Sequence, residues 1–338
     1  MKKIVLILIS AVFLLSPFSA FAEKPEDGLV YTALGDSIAA GYALPSYTED
    51  GATPKEGYVA IIGEKLGARV INDLGVSGID TSRVLSLLSG NEKYRNAVKA
   101  ADVITLSLGS NDLMIPGLGI MEEIFRKEGF DFSSFSGVSA EDAAKMFSKI
   151  KAYLDEPRQK ERMSEMINGF KTNFALIIDK IRELNPDARL IVTDYFNPFY
   201  AIDVLLPEKI FQPYLDTFNE YITSHEYNGE KYSIATIREL GESVGLTNFN
   251  LIFKNFDVHP SVKGHALIAM RVWASYSGDT FEENTVTEIN DTEPLPETAF
   301  TAEQTSSSDT SKKGCAGFSP VALAAMLSLS LMLIIKKK

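Results

Sequence analysis

The sequence Gly35-Asp36-Ser37 is the first candidate for chemistry, because it directly follows an apolar, β-branched run and precedes Ile38-Ala39-Ala40-Gly41. This order predicts a turn between a strand and a helix, with the backbone N–H of Ser37 at the helix N-terminus. Such a position combines an exposed hydroxyl that can act as a nucleophile with a backbone site for an anion. A serine at a helix start is also a common N-cap, so the tripeptide alone leaves both interpretations open.

Three further motifs follow along the chain: Asn72-Asp73-Leu74-Gly75, Gly109-Ser110-Asn111-Asp112 and Asp257-Val258-His259-Pro260. With the first motif they contain Ser, Gly, Asn and His in the order that is typical of the SGNH hydrolases, also called GDSL esterases/lipases. The chain resembles this family from about residue 28 to residue 275. The resemblance implies an ester hydrolase without metal or cofactor, with Ser37 as the nucleophile and His259 as its base.

The same residues suit acyl transfer, in which a tetrahedral oxyanion forms while the attacking hydroxyl loses its proton. A neutral His259 imidazole within hydrogen-bond reach would accept the proton of Ser37. The backbone N–H groups of Ser37 and Gly75 and the side-chain amide of Asn111 would bind the oxyanion, and each donor typically lowers the barrier by about 3 kcal/mol. Without the other motifs, Asn111 would be interpreted as a turn residue after a strand.

The sequence offers two candidates for the group that orients His259. The family usually has an acidic residue three positions before the histidine, where this chain has Phe256, and the nearest acid is Asp257. Either Asp257 or a backbone carbonyl would hold the imidazole, and we predict Asp257. Pro260 restricts His259 to extended backbone conformations and therefore predicts a loop before a helix over residues 262–273.

Other polar residues near these motifs are interpreted as structural. Asp36 and Asp112 have no cluster of His or Cys beside them, so we expect them to bind neighbouring backbone N–H groups rather than a metal. Of the two remaining histidines, His265 is predicted to be structural and His225 to lie at the surface.

Five short apolar runs, separated by helical stretches, predict the strands that position these residues. They cover residues 29–34, 69–74, 103–108, 190–194 and 232–237. This alternation predicts an α/β fold with three α/β/α layers around a flavodoxin-like parallel five-stranded sheet. Ligands bind at the carboxyl edge of such a sheet, where the motifs with Ser37, Gly75 and Asn111 follow their strands.

The third and fourth strands are separated by more chain than one crossover helix needs. Helical spacing predicts that helix over residues 166–184, and residues 113–165 form an insertion with several phenylalanines and a helical stretch at 141–154. The insertion is either a lid over an apolar acyl chain or a helical addition that packs on the rest of the domain.

Both ends of the chain carry apolar segments. Residues 1–22 resemble a cleaved signal peptide, although an uncleaved anchor is the alternative. The hydrolase domain then covers residues 23–280, and residues 281–313, rich in acidic residues, Ser and Thr, form a flexible stalk. Residues 314–338 are apolar for long enough to span a bilayer before three lysines.

These segments predict an exported protein at the cell surface, with the membrane as a partner through one C-terminal spanning segment. The segment is either an ordinary anchor or a processed sorting signal that uses Cys315, the only cysteine, for attachment. A single cysteine excludes an intramolecular disulfide. The net charge of −12 argues against nucleic-acid binding.

Three functions fit these observations. The first is hydrolysis of an acyl ester, whose substrate is a lipid, a lysophospholipid or an acylated carbohydrate. The second is acyl transfer by the same groups, with an alcohol in place of water. The third is a non-catalytic binding module displayed on a stalk; no G-x-G-x-x-G sequence follows the first strand, which disfavours nucleotide binding.

Overall fold

The computed structural model describes residues 28–127, 148–198, 200, 209–226, 232–240 and 259–279. Its strands are β1 (Leu29–Gly35), β2 (Ala68–Gly75), β3 (Val103–Ser107), β4 (Arg189–Thr193) and β5 (Ser233–Ala235). They form one parallel sheet in the order β2-β1-β3-β4-β5. This is the flavodoxin-like order, so the predicted fold is confirmed.

Helices cover both faces of the sheet. Their bounds are α1 (Tyr58–Leu66), α2 (Thr81–Gly90), α3 (Glu92–Ala100), α4 (Ser110–Lys127), α5 (Pro157–Leu184), α6 (Gln212–Ser224) and α7 (Val262–Ser277). Helices α1 and α7 pack on one face, and α2, α3, α5 and α6 contribute to the core on the other. The sheet is therefore the middle of three layers.

The side chains of β1 alternate between the two cores. Tyr31 and Ala33 join the core formed with α1 and α7, whereas Leu34 joins the core formed with α2, α3 and α5. All three are fully buried, and burial of a large apolar side chain typically contributes about 1.5–3 kcal/mol. Burial on both faces explains why the central strands read as continuous apolar runs.

The predicted strands agree with the first four observed strands to within one residue at each end. The fifth strand is shorter than predicted, since β5 ends at Ala235. Helix α5 begins at Pro157, earlier than predicted. A proline suits the first turn of a helix because its missing N–H would have no partner there.

The predicted insertion is described in part. Residues 110–127 belong to α4 and residues 148–154 are helical, whereas residues 128–147 lie outside the described residues. The described parts contact each other: the Lys127 ammonium lies 4.4 Å from the ring centroid of Tyr153, and Arg162 of α5 lies 3.5 Å from Glu123 of α4. Whether the insertion acts as a lid stays a prediction.

The predicted location requires a correction. Within the ranges described above, no helix is long and apolar enough to cross a membrane. The longest, α5, exposes charged residues such as Lys160, Glu161 and Glu165, which a bilayer core would not accept. This finding overturns the predicted anchored cell-surface location, and nothing in the described residues supports the membrane as a partner. The predicted signal peptide, stalk and anchor (1–22, 281–313 and 314–338) lie outside the described residues, and their boundaries stay predictions.

Candidate active site

The carboxyl ends of β2, β1 and β3 bring three of the four motifs to one edge of the sheet. The backbone N–H of Asp36 donates to Ser107 O at 3.2 Å, and the N–H of Val76 donates to Gly35 O at 3.0 Å. These bonds extend the pairing just beyond the strands. The chain leaves β1 toward β2 on one side and later returns through β3 on the other, so this edge is the switch point at which open α/β sheets bind ligands.

Ser37 and His259 contact each other although 222 positions separate them in the sequence. The Ser37 hydroxyl oxygen lies 2.9 Å from Nε2 of His259, which is within reach for proton transfer. His259 precedes α7, whose N-cap Ser261 accepts a hydrogen bond from the backbone N–H of Gly264. The predicted loop position of His259 is therefore confirmed, and α7 extends beyond the predicted end, to Ser277.

The segment after Ser37 differs from the prediction. Residues 37–43 form consecutive turns rather than a helix, and the N–H of Tyr42 bonds to Ser37 O across five positions. Gly41 and Ala43 have φ angles of 67° and 66°, in the left-handed region that ends helical geometry. The backbone N–H of Ser37 makes no hydrogen bond within the described part of the chain, which leaves it available to an oxyanion.

The buried Asp36 carboxylate joins this turn to α4. One oxygen accepts from the backbone N–H of Ile38 at 3.0 Å, and the other accepts from the Ser110 hydroxyl. Burial raises the pKa of Asp36, whereas the bonds from Ser110 and Ile38 and the charge of His259 act in the opposite direction. The expected role of Asp36 in holding the loops is confirmed.

Gly75 ends β2 directly against the turn after Ser37. A Cβ atom at Gly75 would lie 2.7 Å from the carbonyl carbon of Ala39, so only glycine fits there without a shift of the backbone. The Gly75 N–H already donates to a carboxylate oxygen of Asp73 at 3.0 Å. An oxyanion would share this N–H with Asp73, and the role of Gly75 as a donor stays a prediction.

Asn111 is buried in the first turn of α4, and its Nδ2 donates to Ile79 O at 2.9 Å. This bond fixes the plane of the amide, which carries two N–H groups. The preceding Gly109 has a φ of 121°, and a Cβ there would lie 2.5 Å from the ring of Phe170. The turn that presents Asn111 therefore requires glycine.

Asp112 links α4 to the start of α2. Its carboxylate accepts from the backbone N–H of Thr81 at 3.0 Å and from the Thr81 hydroxyl. Burial raises the pKa of Asp112 to about 6, although both bonds from Thr81 oppose the shift. Asp112 accepts from a backbone N–H, as expected, but the donor is Thr81, 31 positions away, rather than a neighbouring residue.

The two other histidines contact residues other than Ser37. His265 is fully buried in α7, and its Nδ1 accepts from the backbone N–H of Tyr58 at 3.2 Å. Burial, assisted by the charge of His259, lowers the pKa of His265 to about 3, so the ring is neutral and structural, as predicted. His225 was predicted to lie at the surface, but it is half-buried against the rings of Tyr221 and Tyr232.

One aromatic contact was not foreseen. The ring centroid of Tyr42 lies 4.7 Å from that of His259, and Tyr42 also packs edge to face against Tyr47. Its place five positions after Ser37 gave no pattern from which to identify it. Asp257, the predicted third member of the catalytic set, lies outside the described residues and stays a prediction.

Comparison with known proteins gives a match along most of the chain. The model of the GDSL-like Lipase/Acylhydrolase family matches residues 33–267, which include all four motifs. The uncharacterized protein YpmR of Bacillus subtilis (strain 168) is 25% identical over 267 residues, which are 75% of this chain and 84% of that protein.

Two solved structures are similar to most of this chain at low identity. Phospholipase A1 from Streptomyces albidoflavus NA297 is 16% identical, with a TM-score of 0.49, over 73% of this chain and 99% of that one. The lipase Lip_vut3 from a goat rumen metagenome is 20% identical, with a TM-score of 0.45, over 73% and 97% of the two chains.

Proposed function

Because the chain belongs to the GDSL-like lipase/acylhydrolase family, we propose that it hydrolyses carboxylic esters with Ser37 as the nucleophile and His259 as the general base. The observation that carries this proposal is the 2.9 Å contact between the Ser37 hydroxyl oxygen and Nε2 of His259. A serine hydroxyl is a weak nucleophile until an adjacent base accepts its proton. The contact supplies that base at hydrogen-bond distance.

In the first step, Nε2 of His259 accepts the hydroxyl proton while Oγ of Ser37 forms a bond to the ester carbonyl carbon. The carbonyl electron pair moves onto its oxygen and gives a tetrahedral oxyanion. When the carbonyl re-forms, the bond to the alcohol oxygen breaks, and the imidazolium returns its proton to the departing alcohol. The acyl group then remains on Ser37 as an ester.

In the second step, water replaces the alcohol. His259 accepts a proton from the water, whose oxygen attacks the acyl carbon, and a second oxyanion forms. Its collapse releases the carboxylic acid and returns the proton to Ser37. An alcohol in place of water would give acyl transfer by the same groups, so the products formed with added alcohol distinguish the two reactions.

The proposed oxyanion donors lie on either side of Ser37. The Ser37 N–H has no competing acceptor within the described residues, and Asn111 presents an amide whose plane the bond to Ile79 holds. Gly75 would contribute a third N–H in competition with Asp73. Loss of one such donor typically costs a factor of about 10² to 10³ in kcat.

Two carboxylates are candidates to support His259. We propose that Asp257 orients the ring, as the sequence predicts. The buried Asp36 carboxyl also interacts electrostatically with His259 across the Ser37 turn.

The test is hydrolysis of p-nitrophenyl esters, from acetate to palmitate, by the purified full-length chain. Ser37→Ala is expected to lower kcat by at least about a thousandfold. Ser89→Ala, which removes an exposed hydroxyl of α2, is the matched control and is expected to behave like the wild type. Acyl chains from acetate to palmitate then separate a preference for short groups, as in acylated carbohydrates, from a preference for lipids.

A fluorophosphonate gives a second readout that is independent of the substrate. It should label one serine per chain, and mass spectrometry should locate the label on Ser37. A folded wild-type chain that neither hydrolyses any ester in the series nor takes up the label would exclude the proposed mechanism and favour a binding module.

A further inference from the structure

We propose that Thr81 is a positioning residue that holds the side-chain amide of Asn111 in the orientation required of an oxyanion donor. The inference rests on the proposed role of Asn111 in ester hydrolysis. Thr81 lies at the start of α2, outside the four motifs that carry the family resemblance. It is fully buried, so it acts through its contacts with other residues rather than through contact with substrate.

The first contact is between Asn111 and the segment that contains Thr81. The Nδ2 atom of Asn111 donates to Ile79 O at 2.9 Å, two residues before Thr81. This acceptor takes one of the two amide N–H groups and thereby fixes the direction of the amide plane. The direction of the Asn111 donor therefore depends on where the carbonyl of Ile79 is held.

The second contact fixes that segment from the other side. Asp112, the neighbour of Asn111, accepts both from the backbone N–H of Thr81 at 3.0 Å and from the Thr81 hydroxyl. Two consecutive residues at the start of α4 thus bind residues 79 and 81. The bonds between Thr81 and Asp112 therefore restrain the segment that carries the Ile79 carbonyl.

The third contact ties the same hydroxyl to a second helix. Nδ2 of Asn173, on α5, donates to Oγ1 of Thr81 at 3.2 Å. The Thr81 hydroxyl therefore accepts from α5 and donates to α4 at the same time. One buried oxygen thus joins α2, α4 and α5 beside the segment that accepts from Asn111.

Removal of this hydroxyl would leave the Asp112 carboxylate with one fewer donor and the Asn173 amide without this acceptor. A buried polar group that loses its partner costs enough free energy to favour a local shift that recovers a bond. Such a shift moves the Ile79 carbonyl and with it the Asn111 amide. Misplacement of an oxyanion donor lowers stabilisation of the transition state more than substrate binding.

The experiment compares Thr81→Val, Thr81→Ser and Thr32→Val in the full-length chain, with p-nitrophenyl esters as substrates. Thr32 is the matched control: it is also fully buried, donates to Ala97 O and accepts from an asparagine Nδ2, that of Asn72. Active-site titration with a fluorophosphonate corrects each kcat for the folded fraction.

Thr81→Val is expected to lower kcat about tenfold or more and to leave KM within about twofold of the wild type. Thr81→Ser restores the hydroxyl and is expected to recover most of kcat. Thr32→Val is expected to keep both constants near those of the wild type. If the titrated kcat of Thr81→Val equals that of Thr32→Val, the inference is wrong. The proposed function would still stand in that case, provided that Ser37→Ala loses activity.

A crystal structure of Thr81→Val tests the positioning without reference to activity. We expect the bond between Asn111 Nδ2 and Ile79 O to be lost or lengthened beyond hydrogen-bond distance. If that bond keeps its 2.9 Å length, the inference is wrong. This readout still applies if the wild-type chain proves inactive on esters, in which case it is the proposed function that fails.

Discussion

The Ser110 hydroxyl donates a hydrogen bond to the buried carboxylate of Asp36, 74 positions earlier in the chain. Ser110 is the first residue of α4, next to Asn111, and Asp36 directly precedes Ser37. The proposed nucleophile and the proposed side-chain donor are therefore held in register by one contact between their neighbours.

Ser110→Ala is predicted to destabilise the fold by about 1–3 kcal/mol, because a buried carboxylate loses a hydrogen-bond donor. Urea unfolding at pH 7 measures the change. Ser89→Ala also removes a hydroxyl that donates a hydrogen bond, but at an exposed position, and its effect should stay within about 0.5 kcal/mol. Equal effects of the two substitutions would contradict the prediction.

Gly75→Ala is predicted to disrupt the turn that carries Ser37, because the new methyl group would overlap the backbone of Ala39 and Ala40. Overpacking of this kind typically costs about 1–3 kcal/mol, and kcat should fall with it since Ser37 moves. Gly90→Ala is the control, because nothing lies within 4 Å of the added methyl group apart from its chain neighbours and its own helix backbone. Wild-type activity in Gly75→Ala would show that the turn has more space than the structure indicates.

His265 is predicted to make the fold sensitive to acid. Its pKa is lowered from 6.5 to about 3 by burial, so below pH 6.5 the unfolded chain binds a proton that the folded chain does not. The stability that the neutral ring contributes is full above pH 6.5 and declines by up to about 1.4 kcal/mol per pH unit as the pH falls.

The measurement is the unfolding free energy of the wild type and of His265→Gln at pH 7, 6 and 5. The variant should start less stable at pH 7, because it loses a fitted acceptor for the Tyr58 N–H, but its free energy of unfolding should decline less toward pH 5. Parallel curves for the two proteins would show that His265 does not cause the pH dependence.

Asp112 is predicted to stabilise the fold at low pH, opposite to the effect of His265. Burial raises its pKa from 3.8 to about 6, so between these values the folded chain binds a proton that the unfolded chain does not. Its contribution to stability is therefore full below about pH 4 and is lost as the pH rises through 6. Asp112 is only partly buried, so we expect a change of about 2 kcal/mol or less.

Asp112→Asn removes this titration while it keeps an oxygen that can accept from Thr81. The unfolding free energy of the wild type, relative to that of the variant, should therefore fall between pH 4 and pH 7. The His265→Gln variant provides the better background for this comparison, because it removes the opposing histidine titration. A constant difference between the proteins across this range would contradict the assignment.

The strands could be predicted from the sequence because a strand that is buried on both faces has a continuous run of apolar residues. β3 is buried at every position and reads as an apolar run, so its bounds were found to within one residue. Ser37 could be proposed as a site residue because its motif follows a strand, and His259 because its motif precedes a helix. These are local features of the chain.

The turn after Ser37 could not be predicted in the same way. Its small residues are compatible with a helix, but Gly41 takes a positive φ and lies against Pro54, where a Cβ would be 2.8 Å from Cγ. That packing is set by the fold rather than by the local sequence. The Thr81 contacts have the same origin, since they join residues on three helices that no spacing rule connects.

The 222 positions between Ser37 and His259 also bear on the order of folding. His259, the proposed base, reaches Ser37 when α7 docks against α1, where His265 accepts from the N–H of Tyr58. Contacts between residues so distant in the chain carry a large loop-closure entropy and form slowly. A nascent chain that has already folded β1, β2 and β3 would thus hold Ser37 without its proposed base. If the proposed function holds, the onset of ester hydrolysis after refolding would report the docking of α7.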